Sequence, residues 1–456
     1  MQVNAGARLD RLPISSFHRR VMWLIGAGMF FDGFDIYLAA TVLGATLKTG
    51  FSTLQQNAQF VSATFVGMML GSLVTGFLGD RYGRRFNYQA NLAIFGFASI
   101  AAAFAPSMSV LILIQAIIGA GLGAENVVGY STLTEFVPPQ SRGKWLGFMS
   151  VFVVTGLPIA GLVGTYIIPR FTWRAMFVLG GLGALVVWYL RKALPESPRW
   201  LASVGRTDEA DALLEKIEQE VEGQHSPLPM AAPALNVVHS RNIALLLSPA
   251  IFPRMIVGVV TLVVINSLLY GFVTWLPTFF VQQGLSIATS FRYSLMIALG
   301  APIGSAIGAL TADSWGRKPT IVGASLLTIL VGSFYPYITN PVMLMVVGFS
   351  LIVPIYVLVA LLFAIYIPEL FPTEVRLRAA GICNTFGRGA IIFTPFIVVA
   401  LFRSHGVGGV LMFMIALLVV QILVVLTLGV EPKKRRLEDI GPEESAATRP
   451  AEVRNP

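Results

Sequence analysis

The stretch GFLGDRYGRR at residues 76–85 decides the fold, because it returns in altered form as GALTADSWGRK at residues 308–318. In each copy an acid, Asp80 or Asp313, is followed three residues later by glycine and then by two bases. The two acids are 233 positions apart. A single recurrence in a long chain is weak evidence for an internal repeat. The evidence becomes strong only if other motifs recur at the same distance.

A second, unrelated motif does so. EFVPPQSR begins at Glu135 and ELFPTEVR at Glu369, an offset of 234, and each has a proline three residues and an arginine seven residues after the acid. Two motifs that agree on one offset predict an internal repeat of about half the chain. We therefore expect two halves of similar structure.

The composition indicates where these halves lie. Hydrophobic residues make up 55% of the chain and charged residues only 12%, and the mean hydropathy is +0.75, which excludes an ordinary water-soluble globule. A helix needs roughly 20 apolar residues to span a bilayer. Twelve such runs lie near residues 21–44, 58–79, 86–105, 109–134, 144–168, 172–190, 255–281, 291–312, 319–338, 341–367, 377–401 and 408–429. The sequence therefore predicts an all-α polytopic membrane protein of twelve transmembrane helices in two six-helix halves.

The basic residues predict the orientation. With the N-terminus in the cytoplasm, nearly all of the 32 Lys and Arg residues fall in cytoplasmic segments, as the positive-inside rule requires. The exceptions are Lys48, Arg170, Arg174, Arg292 and Arg403 outside and Arg388 within a span. Because the bases are spread over many short loops, the net charge of +9 reflects topology and not nucleic-acid binding. Short external loops without glycosylation sequons favour a bacterial inner membrane.

The chain divides into five segments on this topology, and both termini are expected in the cytoplasm. They are a cytoplasmic tail at 1–20, an N-terminal six-helix half at 21–190, a cytoplasmic linker with a short surface helix at 191–254, a C-terminal six-helix half at 255–430, and a charged, disordered tail at 431–456.

Several sequence features narrow the class. No GxxxxGK[ST] loop occurs, so an ATP-driven pump is not indicated and any energy comes from a gradient. Cys383 is the only cysteine, which excludes an intrachain disulfide and cysteine-cluster metal sites. No catalytic constellation is visible either. We expect neither an enzyme nor a bound metal or cofactor.

The acids at membrane depth are candidates for proton coupling, because ionisable groups there are costly and mark function. Asp32 and Asp35 lie near the middle of the first span, and their spacing places both on one helix face. Desolvation and mutual repulsion favour the neutral form, which suits proton exchange. The alternative is a helix–helix hydrogen bond or a fixed pair with a base. Glu125 in the fourth span is a third candidate, and no histidine lies in a predicted span.

Arg388 in the eleventh span is the candidate anion site. Its charge cannot be shed, so it requires an anion from the protein or from a ligand. If Asp32 or Asp35 neutralises Arg388 in the empty protein, a substrate carboxylate can replace the acid once it is protonated. The alternative is a permanent structural pair. Further hydrogen bonds and aromatic walls for a cavity are expected from Asn266, Tyr270, Trp275, Tyr356 and Asn384.

The repeated loops, together with PESPRW at 195–200 and PELFPTEVR at 368–376, resemble the major facilitator superfamily over essentially the whole chain. The resemblance implies two halves that rock about a central site, with loop ion pairs that close the cytoplasmic side when the cavity faces outward. We expect a monomer. A blander alternative is that these charges only anchor loops at the headgroups. The matching positions are Asp80, Arg84, Arg85, Glu135, Arg142, Glu196, Asp313, Arg317, Glu369 and Arg376.

Within the superfamily, DGFD in the first span and GRG in the eleventh resemble aromatic-acid and proton symporters, while GLGAE and YGFVTWLPTFF resemble niacin transporters. PESPRW also resembles sugar porters, yet the seventh span reads VVINSLLYG in place of their QLSG-type motif. The fourth span reads QAIIGAGLG, with Gln115 where the family usually has arginine. GLPIAGLVG in the fifth span matches the antiporter pattern only loosely, which favours symport over exchange.

The sequence thus predicts proton-coupled uptake of a small, aromatic carboxylic acid. The alternatives are a sugar or polyol symporter with proton coupling, and a sensor that binds a nutrient without moving it. The loop motifs repeat, but the charged residues near the middle of the membrane do not. An offset of 234 aligns Asn266 with Asp32, Arg388 with Val154 and Val359 with Glu125. We expect proton and substrate chemistry where the repeat fails.

Overall fold

The fold is described from a computed structural model, which defines residues 5–224, 228, 230, 243–271, 293, 296–338, 340–373 and 375–432. Helices account for nearly all of these residues, and each of the twelve predicted spans contains helix over all or part of its length. Within the described residues, nine helical segments are long and apolar enough to cross a membrane. The predicted all-α architecture is confirmed.

The N-terminal half contains six long helices. They are α2 (Ser16–Lys48), α3 (Leu54–Tyr82), α4 (Arg84–Ala103), α5 (Met108–Phe136), α6 (Arg142–Phe171) and α7 (Arg174–Leu190). Four of them (α2, α3, α5 and α6) extend beyond the predicted apolar runs at both ends because their polar ends continue the helix. A short helix, α1 (Ala5–Asp10), precedes all six. Part of the expected N-terminal tail is therefore helical.

The linker contributes two further helices, α8 (Pro198–Ser203) and α9 (Thr207–Glu222). The second is the predicted surface helix. Its buried face consists of Ala210, Leu214, Ile217 and Val221, which repeat at helical spacing and pack against the rest of the protein.

The C-terminal half contains α10 (Phe252–Gly271), α11 (Gly300–Trp315), α12 (Arg317–Phe334), α13 (Pro341–Val359), α14 (Ile367–Leu370) and α15 (Arg376–Leu428). A π-helical segment, Ala360–Tyr366, joins α13 to α14. The last two predicted spans both lie in α15, separated at Gly406, whose φ of +62° breaks the helix.

Small residues allow the helices to pack closely, as is common in membranes. A Cβ atom at Gly71 of α3 would lie 1.9 Å from the carbonyl oxygen of Ala120 on α5. Large apolar side chains such as Phe97, Leu113, Phe393 and Met412 are instead exposed on the outside of the bundle. Apolar side chains on the outside and polar groups on the inside are the reverse of a water-soluble protein, and this arrangement suits contact with lipid hydrocarbon.

Candidate functional site

The two copies of each loop motif meet at one end of the bundle, here called the charged end (residues 80–85, 135–142, 313–318 and 369–376). Within each half the same pair forms: Arg84 Nη2 lies 2.8 Å from Glu135 Oε1, and Arg317 Nε lies 2.8 Å from Glu369 Oε2. Each arginine also reaches the acid four residues earlier, at 3.3 Å to Asp80 and 3.0 Å to Asp313. The sequence repeat is thus a structural repeat.

A third repeated contact lies beside these pairs and was missed from the sequence. Gly83 and Gly316 precede α4 and α12 with φ of +98° and +103°, a conformation that favours glycine. The backbone N–H of Arg84 donates to Glu196 at 2.9 Å, and that of Arg317 donates to Glu431 at 3.0 Å. The two carboxylates therefore cap equivalent helix starts.

Glu431 was assigned to the C-terminal tail, and its capping role is a correction to that boundary. It follows Glu196 by 235 positions, which is close to the offset of the other motifs. The repeat was the available signal, but VEPKK at residues 430–434 shares too few letters with PESPRW to be noticed alone.

The halves are joined across the charged end by contacts that obey the same repeat. Asp80 Oδ2 accepts from the backbone N–H and from Nε of Arg378, at 3.1 and 2.9 Å. Asp313 accepts from the backbone N–H groups of Gly143 and Lys144, at 3.1 and 2.7 Å. Arg378 and Lys144 are 234 positions apart. Each half therefore places its loop acid on a helix start of the other half, where the N–H groups attract an anion.

Two further contacts cross the same boundary. Arg376 Nη1 lies 2.9 Å from Glu135 Oε1, and Arg84 Nη2 donates to the carbonyl of Thr373 at 3.1 Å. Five predicted gate residues thus bridge the halves, namely Asp80, Arg84, Glu135, Asp313 and Arg376. The charged end is closed in this conformation.

The other predicted gate residues contact their own halves. Arg85 donates from its backbone to Glu196 and from its side chain to the carbonyl of Lys192. Arg142 donates to the carbonyl of Val137 and approaches Asp10 at 3.5 Å. In the described part of the chain, the ion pair of Glu369 with Arg317 also stays within one half. These residues shape the loops that make the crossing contacts.

The N-terminal segment braces this end from outside. Asp10 lies 2.5 Å from Arg199 of α8, and Arg8 and Arg11 pair with Glu218 of α9 at 2.6 and 2.7 Å. Partial burial acts to raise the pKa of Glu218, but the hydrogen bonds from Arg8 and Arg11 outweigh it and lower that pKa. The sequence did not indicate these contacts, because they join segments about 200 residues apart.

Deeper in the bundle, the two aspartates of α2 have different surroundings. Asp32 is only 2% exposed, and neither carboxyl oxygen has a hydrogen-bond partner among the described residues. Asp35 accepts a hydrogen bond from Gln115 Nε2 at 3.4 Å. Gln115, the departure from the family pattern, therefore supplies Asp35 with a neutral partner, and Asp32 is the isolated acid.

Glu125, the third predicted acid, is part of an ion pair. Its Oε1 lies 2.5 Å from Arg191 Nη1, and both residues are 1% exposed. Arg191 was placed in the linker from the sequence, but its side chain extends into the bundle and donates to the carbonyls of Leu24 and Ile25, at 2.7 and 2.6 Å. The repeat gave no signal for it, because the residue 234 positions later is Val425.

Arg388 is 4% exposed, and its guanidinium lies 5.6 Å from the centre of the Phe363 ring. Among the described residues its Nε has no hydrogen-bond partner, and none of their carboxylates lies within ion-pair distance of it. The ion pair with Asp32 or Asp35 considered for the empty protein is therefore not formed here. Arg388 nevertheless acts electrostatically on Asp32, although less strongly than Arg191 does.

Four of the five other predicted substrate-site residues lie in the described part of the chain. Asn384 lies one helical turn before Arg388 and donates to the carbonyl of Ala380 at 2.9 Å, while Gly387 packs against Asn266 of α10. Tyr270, one turn after Asn266, contacts the Phe65 ring of the other half with centroids 4.6 Å apart. Tyr356 is buried on α13. Trp275 lies outside the described residues.

Known proteins share both this sequence and this architecture. The sequence profile of the sugar (and other) transporter family matches residues 21–443. The inner membrane metabolite transport protein YdjE of Escherichia coli (strain K12) is 37% identical, over 95% of this chain and 98% of the relative. The niacin transporter NiaP of Acinetobacter baylyi is 31% identical, over 95% of this chain and 99% of the relative.

The fold comparison agrees. The solved structure of the proton:xylose symporter XylE bound to 6-bromo-6-deoxy-D-glucose, a major facilitator superfamily protein, has a TM-score of 0.77 at 18% identity, covering 93% of this chain and 98% of XylE. The resemblance to the superfamily and to niacin transporters is confirmed. The chain belongs to the sugar (and other) transporter family of the major facilitator superfamily and is a multi-pass membrane transport protein.

Proposed function

We propose that the protein imports a small aromatic carboxylic acid together with a proton. The observation that carries this proposal is Arg388, a buried guanidinium without a carboxylate partner among the described residues. Arginine keeps its charge in proteins, so a buried one is stabilised when an anion binds. A planar carboxylate fits the paired N–H groups of the guanidinium, which makes it the substrate group best matched to this position.

Aromatic side chains in the interior of the bundle favour an aromatic acid over a small aliphatic one. Arg388 lies over Phe363, and Tyr270 with Phe65 forms a second aromatic contact across the halves. Asn266 keeps its Oδ1 without a hydrogen-bond partner in the described part of the chain. Aromatic walls with a few polar groups are typical of sites for small molecules.

The charges inside the bundle support proton coupling. Beyond the charged end, the described interior contains three acids (Asp32, Asp35 and Glu125) and two bases (Arg191 and Arg388). Because a net buried charge is expensive, the empty site is neutral when one acid carries a proton. A bound carboxylate adds a negative charge and requires a second proton. Binding of one acid is therefore coupled to uptake of one proton.

The proposed orientation places the charged end in the cytoplasm of a bacterial cell, with both termini on that side. The distribution of basic residues supports it. Contacts such as those of Asp80 and Asp313 close this end, so in this orientation the conformation has its cytoplasmic side shut. Rocking of the halves would break these contacts and release the substrate inside.

The relatives support an organic acid but keep a second candidate open. NiaP is named a niacin transporter, and niacin is an aromatic carboxylic acid. A sugar with a proton is the second candidate, favoured by the family description and by the fold shared with XylE. A neutral sugar has no group that compensates Arg388, which is why we place it second.

Uptake by purified protein in liposomes tests the proposal. Nicotinate, benzoate, hydroxybenzoate, a dicarboxylate and xylose are supplied with and without an inward proton gradient. We expect gradient-stimulated uptake of one of the aromatic acids and little of xylose. Arg388→Gln should weaken the apparent affinity for the acid at least about tenfold, since a charged hydrogen bond is worth about 1.5–3 kcal/mol. The exposed Arg403→Gln is the matched control. Gradient-driven xylose uptake without acid uptake would reject the proposal.

A further inference from the structure

The ion pair of Glu125 with Arg191 enters the proposed function only through its charges, and its contacts have not been given a role. Both side chains are 1% exposed and 2.5 Å apart. The pairs at the charged end occur in both halves, whereas the equivalents of Glu125 and Arg191 at an offset of 234 are Val359 and Val425. The interior acid Asp32 and the base Arg388 likewise have no charged equivalent at this offset. The restriction of the pair to one half points to a role in the asymmetric chemistry of transport.

Arg191 ties three helices together. It follows α7, pairs with Glu125 of α5, and donates to the carbonyls of Leu24 and Ile25 in α2. Gly28 makes room for it, because a Cβ atom there would lie 2.2 Å from Arg191 Nη2. The guanidinium therefore fixes the half of α2 nearer the charged end.

Asp32 lies on the same face of α2. Ile25, Gly28 and Asp32 have the i, i+3, i+7 spacing that lines up on one side of a helix. The charged side chains that act on Asp32 are Glu125 and Arg191 most strongly, and then Asp35 and Arg388. Tyr130 of α5 also acts electrostatically on Asp32, and the ring centre of Tyr88 in α4 lies 5.8 Å from the guanidinium of Arg191. Arg191 is thus the base that acts most strongly on the isolated acid.

We propose that Arg191 is a positioning residue that reports the protonation of Asp32 to the charged end by exchanging carboxylate partners. With Asp32 neutral, Arg191 pairs with Glu125 and holds α2 as observed. When Asp32 releases its proton to water, its carboxylate competes with Glu125 for the guanidinium. Arg191 keeps its charge throughout, and the only proton that moves is that of Asp32. Since an imported proton is released to the cytoplasm after the charged end has opened, the exchange alters the hold of Arg191 on α2 at that stage and favours closure of the charged end again.

This inference rests on the proposed role of Asp32 as the proton carrier, but one test of it needs no substrate. The melting temperature of the purified protein is measured against pH for wild type, Arg191→Gln, Asp32→Asn and the double variant. We expect Arg191→Gln to change the pH dependence only when Asp32 is present. The same pH-dependent change in both backgrounds would overturn the inference, whatever the substrate proves to be. Arg191→Lys, which keeps the charge, should restore part of the wild-type profile, and it serves if Arg191→Gln does not fold.

A transport assay separates coupling from structure. Arg191→Gln should lower gradient-driven accumulation of the acid at least about tenfold while exchange of labelled for unlabelled acid continues. The double variant Glu125→Gln/Arg191→Gln removes both charges and leaves the net charge unchanged. We expect it to stay uncoupled. Accumulation by the double variant at the wild-type level would show that the pair is only structural and would overturn the inference. If wild type moves no acid, the proposed function fails, and the melting experiment alone decides the role of Arg191.

Discussion

Asp313 accepts a hydrogen bond from the backbone N–H of Lys144 at 2.7 Å, and the two residues belong to opposite halves. Asp80 and Arg378 make the equivalent contact in the other direction. Asp80 and Asp313 thus each make two kinds of contact: one with a helix start of the other half, and one with an arginine of their own half. Because both copies of the motif make this contact across the halves, the repeated acids together close the charged end.

Removal of one cross-half acid should therefore open this end. Asp313→Ala removes hydrogen bonds to two N–H groups, each worth about 1.5–3 kcal/mol for a charged acceptor, so the open population should rise at least about tenfold. Spin labels at Gln140 and Trp315, in a Cys383→Ser background, report the separation of the loops. The exposed Asp208→Ala should leave the distance distribution unchanged. An unchanged distribution in Asp313→Ala would show that the contact does not control closure.

The buried network around Glu135 should be sensitive to loss of the acid. Glu135→Gln leaves Arg84 and Arg376 without their shared carboxylate, and removal of one partner from a buried pair costs about 3–5 kcal/mol. Chemical unfolding in detergent should show a large loss of stability. Glu209→Gln, which breaks the exposed pair with Arg206, should have no measurable effect. Equal effects of the two substitutions would contradict the assignment.

Substitution by alanine should change the free energy of unfolding in opposite directions at two glycines. Gly71→Ala places a methyl group against the carbonyl of Ala120, where no space exists, and should destabilise by about 1–3 kcal/mol through forced helix separation. Gly323 lies in α12, and no atom of the described residues lies within 4 Å of its Cβ position, so Gly323→Ala should stabilise by up to about 1 kcal/mol from helix propensity. Unfolding midpoints measured side by side check both signs.

The N-terminal brace should loosen in acid. Because the pKa of Glu218 is lowered in the folded protein by Arg8 and Arg11, its contribution is complete above the ordinary glutamate pKa of 4.5 and is lost as the pH falls through the lowered value. Hydrogen-exchange protection of α1, corrected for intrinsic rates, should fall in that range. In Glu218→Gln the protection should already be low at neutral pH and change little. A fall of equal size in both proteins would contradict this role of Glu218.

Transport of a monocarboxylate should be insensitive to the membrane potential. The interior charges predict one proton for each acid anion, so no net charge crosses. An inside-negative membrane potential, imposed by potassium efflux through valinomycin, should leave the rate of uptake unchanged. An inward proton gradient should increase that rate. Stimulation by the potential alone would indicate more than one proton per anion.

The repeat made the fold and the loop network predictable, because similar motifs at nearly the same offset indicate equivalent positions in both halves. Arg378 and Glu431 were within reach of the same argument, since they align with Lys144 and Glu196. Arg191 and Asp10 were not. Their partners are distant in the sequence and have no repeated equivalents, and only packing of the helices brings Arg191 to Glu125. Single buried pairs outside a repeat have no sequence signature of their own.

The spacing of residues in the sequence could not determine whether Arg388 pairs with an aspartate. The sequence showed that both charges needed partners but not which charges would meet. In the folded chain Gln115 contacts Asp35, Arg191 pairs with Glu125, and Arg388 lies over an aromatic ring. Within the described interior, that distribution leaves Asp32 available to a proton and Arg388 available to an anion.

Steady-state accumulation of labelled nicotinate in liposomes with an alkaline interior tests the central claim most directly. We predict that wild type concentrates the acid above the external level and that Asp32→Asn exchanges it across the membrane without concentrating it. Accumulation by Asp32→Asn at the wild-type level would contradict the account.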